Sequence, residues 1–207
     1  MQGQSTKLTV TIFFALFLLS HFVSAEQITR NIDLPSDTTL ENGYFIKYNQ
    51  TSDTSYVVSW GNNSFERHLE ERQFDMPGNI PRLSKHNNSV LIMKLGCGTT
   101  CWHDFILPLD TIRDVQDIWY PVVYDMGNDL VVYIGYQADT LLTVKDFFTG
   151  NAISIFGEPC DGIFFGQQID SLAFSGKMLF LRYFDDCEQE EFQEKRKTKE
   201  LKLSIDF

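Results

Sequence analysis

Short apolar runs recur along this chain, and their spacing constrains its fold more than any other feature. The runs are rich in Val, Ile, Tyr and Phe, and Gly, Asn, Asp or Ser separates them at intervals of roughly 8 to 12 residues. Such runs are typical of β-strands joined by turns. They are GYFIKY (43–48), YVVSW (56–60), VLIMKL (90–95), PVVYD (121–125), LVVYIGY (130–136), LLTVKDFF (141–148), AISIF (152–156), GIFFG (162–166), SLAF (171–174), KMLFLRYF (177–184) and LKLSIDF (201–207).

The residues between neighbouring runs favour antiparallel hairpins. Gly127-Asn128-Asp129, Thr149-Gly150-Asn151 and Ser175-Gly176 each separate two runs, and each contains residues that tolerate positive φ. Consecutive hairpins of this kind form a meander. We therefore predict an all-β fold, an antiparallel meander that forms a β-sandwich or a partial propeller-like domain.

The N-terminus has the pattern of a secretory signal peptide. Lys7 precedes an apolar run over residues 8–19, and the small residues Ser24 and Ala25 follow. We expect cleavage after Ala25, which divides the chain into a signal peptide (1–25) and a single all-β domain (26–207). An uncleaved anchor helix is the alternative, because weaker apolar character continues to Val23. Cleavage predicts a secreted or periplasmic protein.

One segment has a composition known from β-propellers. In VKDFFTG (144–150), an Asp lies ahead of a Thr-Gly turn, and this resembles the strand-turn-strand unit of a propeller blade. The 182 residues that follow the signal peptide would hold about four blades, the smallest number usual for propellers. A twisted sandwich fits this length equally well.

The charge balance bears on possible partners. The formal net charge is -11, and it becomes -12 when Lys7 is removed with the signal peptide. A strongly acidic protein is repelled by nucleic acid and by anionic lipid surfaces, and it attracts cationic partners. We expect no nucleic-acid partner and no membrane association after cleavage. The simpler interpretation is that the charge maintains solubility.

Four cysteines in an exported chain favour disulfide bonds over metal ligation. Three pairings are possible, and the two local ones are the prediction: Cys97 with Cys101, and Cys160 with Cys187. The alternative is a zinc site at Cys97, Cys101 and His103, with Asp104 beside them. Its C-x3-C spacing differs from the usual C-x2-C pair, so we expect neither a metal nor a cofactor.

The sequence lacks the motifs of common hydrolases, and we assign no catalytic residue. No serine lies in a G-x-S-x-G elbow. After the signal peptide the histidines are His68, His86 and His103, and none belongs to an H-E-x-x-H pair. A secreted hydrolase that uses a carboxylate pair remains an alternative, because the chain has 28 acidic residues.

Aromatic side chains are the strongest candidates for ligand contacts. The three tryptophans each lie near the end of a predicted strand: Trp60, Trp102 and Trp119. Aromatics in β-proteins more often fill the core, but exposed rings can hold sugars or peptides. The predicted ligand-contact loop follows the first cysteine pair and contains Trp102, His103 and Phe105.

Three Asn-x-Ser/Thr sequences fall in predicted loops and would accept N-glycans in a eukaryotic source: Asn49, Asn62 and Asn87. They do not identify the source, because a chain with this much Asn, Ser and Thr is expected to contain one or two by chance.

The C-terminus supplies one further alternative. Leu201, Leu203, Ile205 and Phe207 alternate with polar residues, which resembles the last strand of small outer-membrane β-barrels. Most of the runs are shorter than a barrel strand, and several are apolar on both faces. The interpretation we favour is an exported, soluble, acidic, disulfide-containing binding module for an unknown protein, peptide or glycan, with the hydrolase and the barrel as alternatives.

Overall fold

The computed structural model describes residues 32–74, 79–98, 101–135, 140–157, 168–184 and 198–207. The chain divides into two units, Met1–Asn31 and Ile32–Phe207, and every described residue belongs to the second. The predicted signal peptide, the run GIFFG and the predicted Cys160–Cys187 pair all lie outside the described residues.

The described residues form sixteen β-strands in four antiparallel sheets. The first sheet has the order β1-β2-β3-β4, with β5 paired to β3, and the other three sheets follow strict chain order. The first sheet contains β1 (Thr38–Thr39), β2 (Phe45–Ser52), β3 (Ser55–Asn62), β4 (Phe65–His68) and β5 (Arg72–Gln73); the second contains β6 (Arg82–His86), β7 (Val90–Gly96), β8 (Trp102–Pro108) and β9 (Gln116–Trp119); the third contains β10 (Pro121–Asp125), β11 (Leu130–Ile134), β12 (Thr140–Asp146) and β13 (Ala152–Phe156); the fourth contains β14 (Ile169–Ser175), β15 (Met178–Phe184) and β16 (Thr198–Ser204).

The prediction of an all-β antiparallel fold is confirmed. Every predicted run that lies among the described residues overlaps a strand, and each sheet is an open path from one edge strand to another. The described part of the chain contains no helix with the length and hydropathy that a membrane span requires.

Three hydrophobic cores lie between consecutive sheets. Trp60 of the first sheet packs in one core with Leu91 and Leu107 of the second, whereas Ile92 and Ile106 face the third sheet in another. The third core joins the third and fourth sheets. The central strands of the second sheet are therefore buried on both faces, which is why their sequences read as continuous apolar runs without alternation.

The second and third sheets meet at a corner made by one residue. Tyr120 alone separates β9 from β10. Its N–H donates to the carbonyl of Trp102 at 3.1 Å, and its carbonyl accepts from the N–H of Ile134 at 3.1 Å. Its φ of 51° turns the chain between these two bonds. A strand that changes sheets at a bend is a usual way to join two packed sheets.

Side-chain oxygens close many of the tight turns. In five of them the Oδ1 atom accepts backbone N–H groups two and three residues further along the chain: Asn62, Asn87, Asp110, Asp125 and Asp146. This geometry explains the Asn and Asp residues between the apolar runs. Positive φ occurs at Asp129 (58°), Gly150 (79°) and Gly176 (58°), within all three predicted hairpin turns.

Candidate functional site

A disulfide links the end of β7 to the residue before β8. Cys97 is bonded to Cys101, and their Cα atoms are 5.0 Å apart. The N–H of Cys97 also donates to the carbonyl of Cys101 at 3.0 Å. The predicted local pair is therefore present, and it anchors the first residues of β8.

The predicted ligand-contact loop is wrong in its local structure, because Trp102, His103 and Phe105 lie in strand β8. β8 is paired with β7 on one side and with β9 on the other. Alternation along the strand also places Trp102 on one face of the sheet and His103 and Phe105 on the other. Phe105 packs in the core shared with the first sheet, whereas the indole N–H of Trp102 donates to the carbonyl of Pro121 at 3.2 Å, towards the third sheet.

His103 forms the centre of a compact cluster on the face of the second sheet that packs against the first. The residue is 3% exposed. Trp119, its partner across β9, stacks on the imidazole at 4.4 Å between ring centroids with planes 19° apart. Phe105 contacts the imidazole edge-on at 4.9 Å. The imidazole thus has aromatic contacts from two neighbours on its own sheet face.

Asp117 fixes the orientation of the imidazole. Its Oδ1 atom lies 2.6 Å from Nδ1 of His103, and the Asp117 side chain is 42% exposed. A carboxylate bonded to Nδ1 favours the tautomer with the proton on that nitrogen. A buried imidazole held this way supports the partly exposed ring of Trp119 from beneath.

The cluster lines a cleft of about 410 Å³. The cleft is bounded by residues of the first and second sheets and by the segment that follows β4: Tyr56, Glu70, Glu71, Arg72, Gln73, Asn79, Leu95, Cys97, His103, Asp117 and Trp119. The guanidinium of Arg72 lies 4.5 Å above the ring of Phe105. Its charge is outnumbered by the carboxylates of Glu70, Glu71 and Asp117, so the cleft carries net negative charge.

A second buried pair lies on the opposite face of β8. Asp104 is 4% exposed, and its Oδ2 atom accepts the hydroxyl hydrogen of Tyr124 at 3.0 Å. Its Oδ1 atom has no partner within the described ranges. Burial raises the pKa of the Asp104 carboxyl, against the lowering effects of the Tyr124 hydrogen bond and of Lys94. Burial, followed by the charge of Asp104, also raises the pKa of the Tyr124 phenol.

The remaining candidates from the sequence lie away from the cleft cluster. Trp60 is fully buried, and its indole N–H donates to the carbonyl of Pro108 at 2.9 Å. Asn49 is exposed on β2, and Asn62 begins a turn. The Nδ2 atom of Asn87 donates to the carbonyl of Met126 at 3.0 Å and to Oδ1 of Asp129 at 3.3 Å. The atom to which a glycan would attach is therefore engaged at Asn87.

The cleft unites residues from five separate parts of the sequence. Asp117 and the acidic segment Glu70–Gln73 were not among the predicted site residues, because no local motif links them to His103. In the pairing of β8 with β9, Trp119 lies opposite His103. Asp117 is two residues before Trp119 on β9, so its side chain lies on the same sheet face as His103. Only this long-range pairing could have identified the site.

The cleft presents the ring of Trp119, the carboxylates of Glu70 and Glu71, and the His103–Asp117 pair. Across the described segments, no three His, Cys, Asp or Glu side chains are grouped as a metal ion would need. No protein-family model, curated protein or solved structure matches the chain.

Proposed function

We propose that this protein is an exported binding module, and that the cleft at Trp119 takes a cationic group of a peptide or protein partner. The observation that carries the proposal is the support of Trp119. The residue is 38% exposed, and its ring stacks on a buried imidazole, which Asp117 orients. A ring held in one orientation loses little freedom when a ligand binds, and such pre-organisation favours affinity.

The charges around the ring favour a cation over other ligands. A Lys or Arg side chain is attracted to the face of an indole, and Asp117, Glu70 and Glu71 line the same cleft. The net charge of -11 adds long-range attraction for a basic partner. A sugar could also stack on Trp119, but neutral sugars would gain nothing from this charge.

The test is a direct binding measurement with defined probes. An array of peptides containing Lys, Arg or acetyl-lysine, together with a glycan array, is exposed to the purified protein. We expect Lys or Arg peptides to bind and acetylated peptides to bind less. Trp119→Ala should weaken the best peptide roughly tenfold, the order of magnitude of a cation–π contact. Phe156→Ala, at another exposed ring, is the matched control.

Two results would reject this ligand class. Equal binding of Lys and acetyl-lysine peptides would show that the charge of the ligand does not contribute to affinity. If only glycans bind, and Trp119→Ala weakens that binding, the site is correct but its ligand is a glycan. Unchanged binding in Trp119→Ala would reject the site itself.

A hydrolase is the second candidate, and the His103–Asp117 pair favours it. An acid bonded to Nδ1 can orient an imidazole as a general base. The discriminating assay uses a panel of chromogenic esters, peptides and glycosides with the wild-type protein and His103→Gln. Turnover that disappears in the variant would favour the hydrolase over the binding module.

For the architecture, we propose a sandwich-like stack of sheets. A blade-to-blade crossing from the outer edge of one four-stranded sheet to the inner edge of the next covers about 14 Å. The single residue Tyr120 between β9 and β10 allows only about 7 Å between the strand ends. This short link supports a corner between stacked sheets and not a propeller.

A further inference from the structure

Among the described strands, β16 forms one edge of the fourth sheet. It has the order β14-β15-β16, whereas the other three sheets have four or five strands. β15 lies on one side of β16, and no described strand lies on the other. An edge of this kind can accept another strand through backbone hydrogen bonds.

One hydrogen bond shows which N–H and C=O groups of β16 point to this edge. The N–H of Ile205 donates to the carbonyl of Lys177, at 2.8 Å, and so points towards the chain that leads into β15. Because successive residues of a strand point in opposite directions, the odd-numbered residues of β16 face β15. The N–H and C=O groups of its even-numbered residues therefore point to the open edge: Thr198, Glu200, Lys202 and Ser204.

The sequence of β16, TKELKLS, is complementary to itself when it is read antiparallel. We propose that two copies of this chain pair along β16, about a two-fold axis at Leu201. In this register Glu200 of each copy lies opposite Lys202 of the other, and these are residues whose backbone groups face the edge. Each such pair can exchange two backbone hydrogen bonds. Opposite charges directly across an antiparallel pair are stabilising.

The charges also favour this register over the two in which the strands are shifted by two residues. An axis at Glu200 or at Lys202 would place like charges directly opposite each other, which is unfavourable. Lysines on an edge strand usually prevent pairing, but here each copy carries the acid that neutralises the lysine of the other. On the inner face Leu201 would meet its counterpart and extend the core that already contains it.

The experiment measures the oligomeric state of the full mature protein by sedimentation velocity over a wide concentration series. We expect the wild type to form a dimer whose dissociation constant rises at least roughly tenfold in Glu200→Lys and in Lys202→Glu. The double variant Glu200→Lys/Lys202→Glu should restore the dimer, because each pair is then reversed. Glu66→Lys, a charge reversal at an exposed residue of β4 in the first sheet, is the control.

The rescue distinguishes dimer contacts from effects within one chain. Glu200 also lies 3.7 Å from Nε of Arg182, so Glu200→Lys alone could affect folding, and circular dichroism checks that all variants are folded. A wild type that stays monomeric at every concentration would overturn the proposal. A dimer that survives both single reversals, or that the double variant fails to restore, would also overturn it. The outcome is independent of the cleft, since Trp119→Ala should dimerise like the wild type.

Discussion

At the scale of single residues, Trp60 and Trp119 show two different roles of tryptophan, one in the core and one at the surface. Trp60 is fully buried, and its indole N–H satisfies the carbonyl of Pro108. Trp60→Phe would remove this bond and leave a gap, so we expect a loss of about 2 kcal/mol in the free energy of unfolding. Trp119→Phe, at a partly exposed ring, should change it by less than about 0.5 kcal/mol. Urea unfolding of both variants measures the difference, and equal losses would contradict these roles.

Asp104 makes stability depend on pH. Burial raises its pKa in the folded protein above the ordinary value of 3.8, so the folded state keeps this proton to a higher pH than the unfolded chain does. Its contribution to stability is therefore fully present below the ordinary value and is lost as the pH rises through the raised pKa. Asp104→Asn can still accept the Tyr124 hydrogen bond but carries no charge to bury.

We therefore expect Asp104→Asn to match the wild type in acid and to exceed it in stability near neutral pH. Urea unfolding midpoints between about pH 3 and pH 8 test this, a range that brackets ordinary carboxyl titration. Asp206→Asn, at an exposed carboxyl, controls for the general loss of negative charge. A variant less stable than the wild type at neutral pH would mean that Lys94 and Lys85 more than offset the burial of the charge.

At the scale of elements, strand β8 marks the limit of sequence-based prediction. Runs that alternate clearly or are bounded by turns predict strands that the structure contains, such as β2 and β11. β8 begins with Trp102, His103 and Asp104, polar or amphipathic residues directly after a cysteine loop, and this pattern favoured a loop. Burial on both faces removes alternation from a strand. The polar residues are accommodated only through Asp117 and Tyr124, partners that lie 14 and 20 positions away.

The Cys97–Cys101 bridge should stabilise the start of β8 only modestly. It closes a loop of five residues, separation four, and the chain-entropy model gives about 2 kcal/mol for so short a loop. Cys97→Ser/Cys101→Ser should lose about that much unfolding free energy. Because Cys97 also lines the cleft, peptide affinity should fall as well. Unfolding and binding titrations of the variant, with the reduced wild type as control, measure the stability and the peptide affinity. Unchanged affinity would show that the bridge does not support the binding site.

At the scale of the whole molecule, each sheet depends on its neighbour for burial. Three cores join the four sheets in sequence, and the cleft forms where strands of the first and second sheets approach. Strands that contain a strong apolar run could be predicted from local patterns, whereas β4, β6, β8 and β9 match no predicted run. The cleft could not be predicted, since the pairing of β8 with β9 and the packing of two sheets decide which side chains meet.

The proposed export predicts a specific covalent form for the mature protein. A chain that leaves the cytoplasm through the predicted signal peptide should begin at Glu26 and meet an oxidising compartment. We therefore expect its intact mass to be lower than that of the reduced sequence by one hydrogen for each cysteine, with no alkylation before reduction. The Cys97→Ser/Cys101→Ser variant should retain the second bridge, between Cys160 and Cys187. A chain that begins at Met1 would contradict cleavage, and alkylation of Cys160 and Cys187 without reduction would contradict that pairing while leaving the first bridge intact.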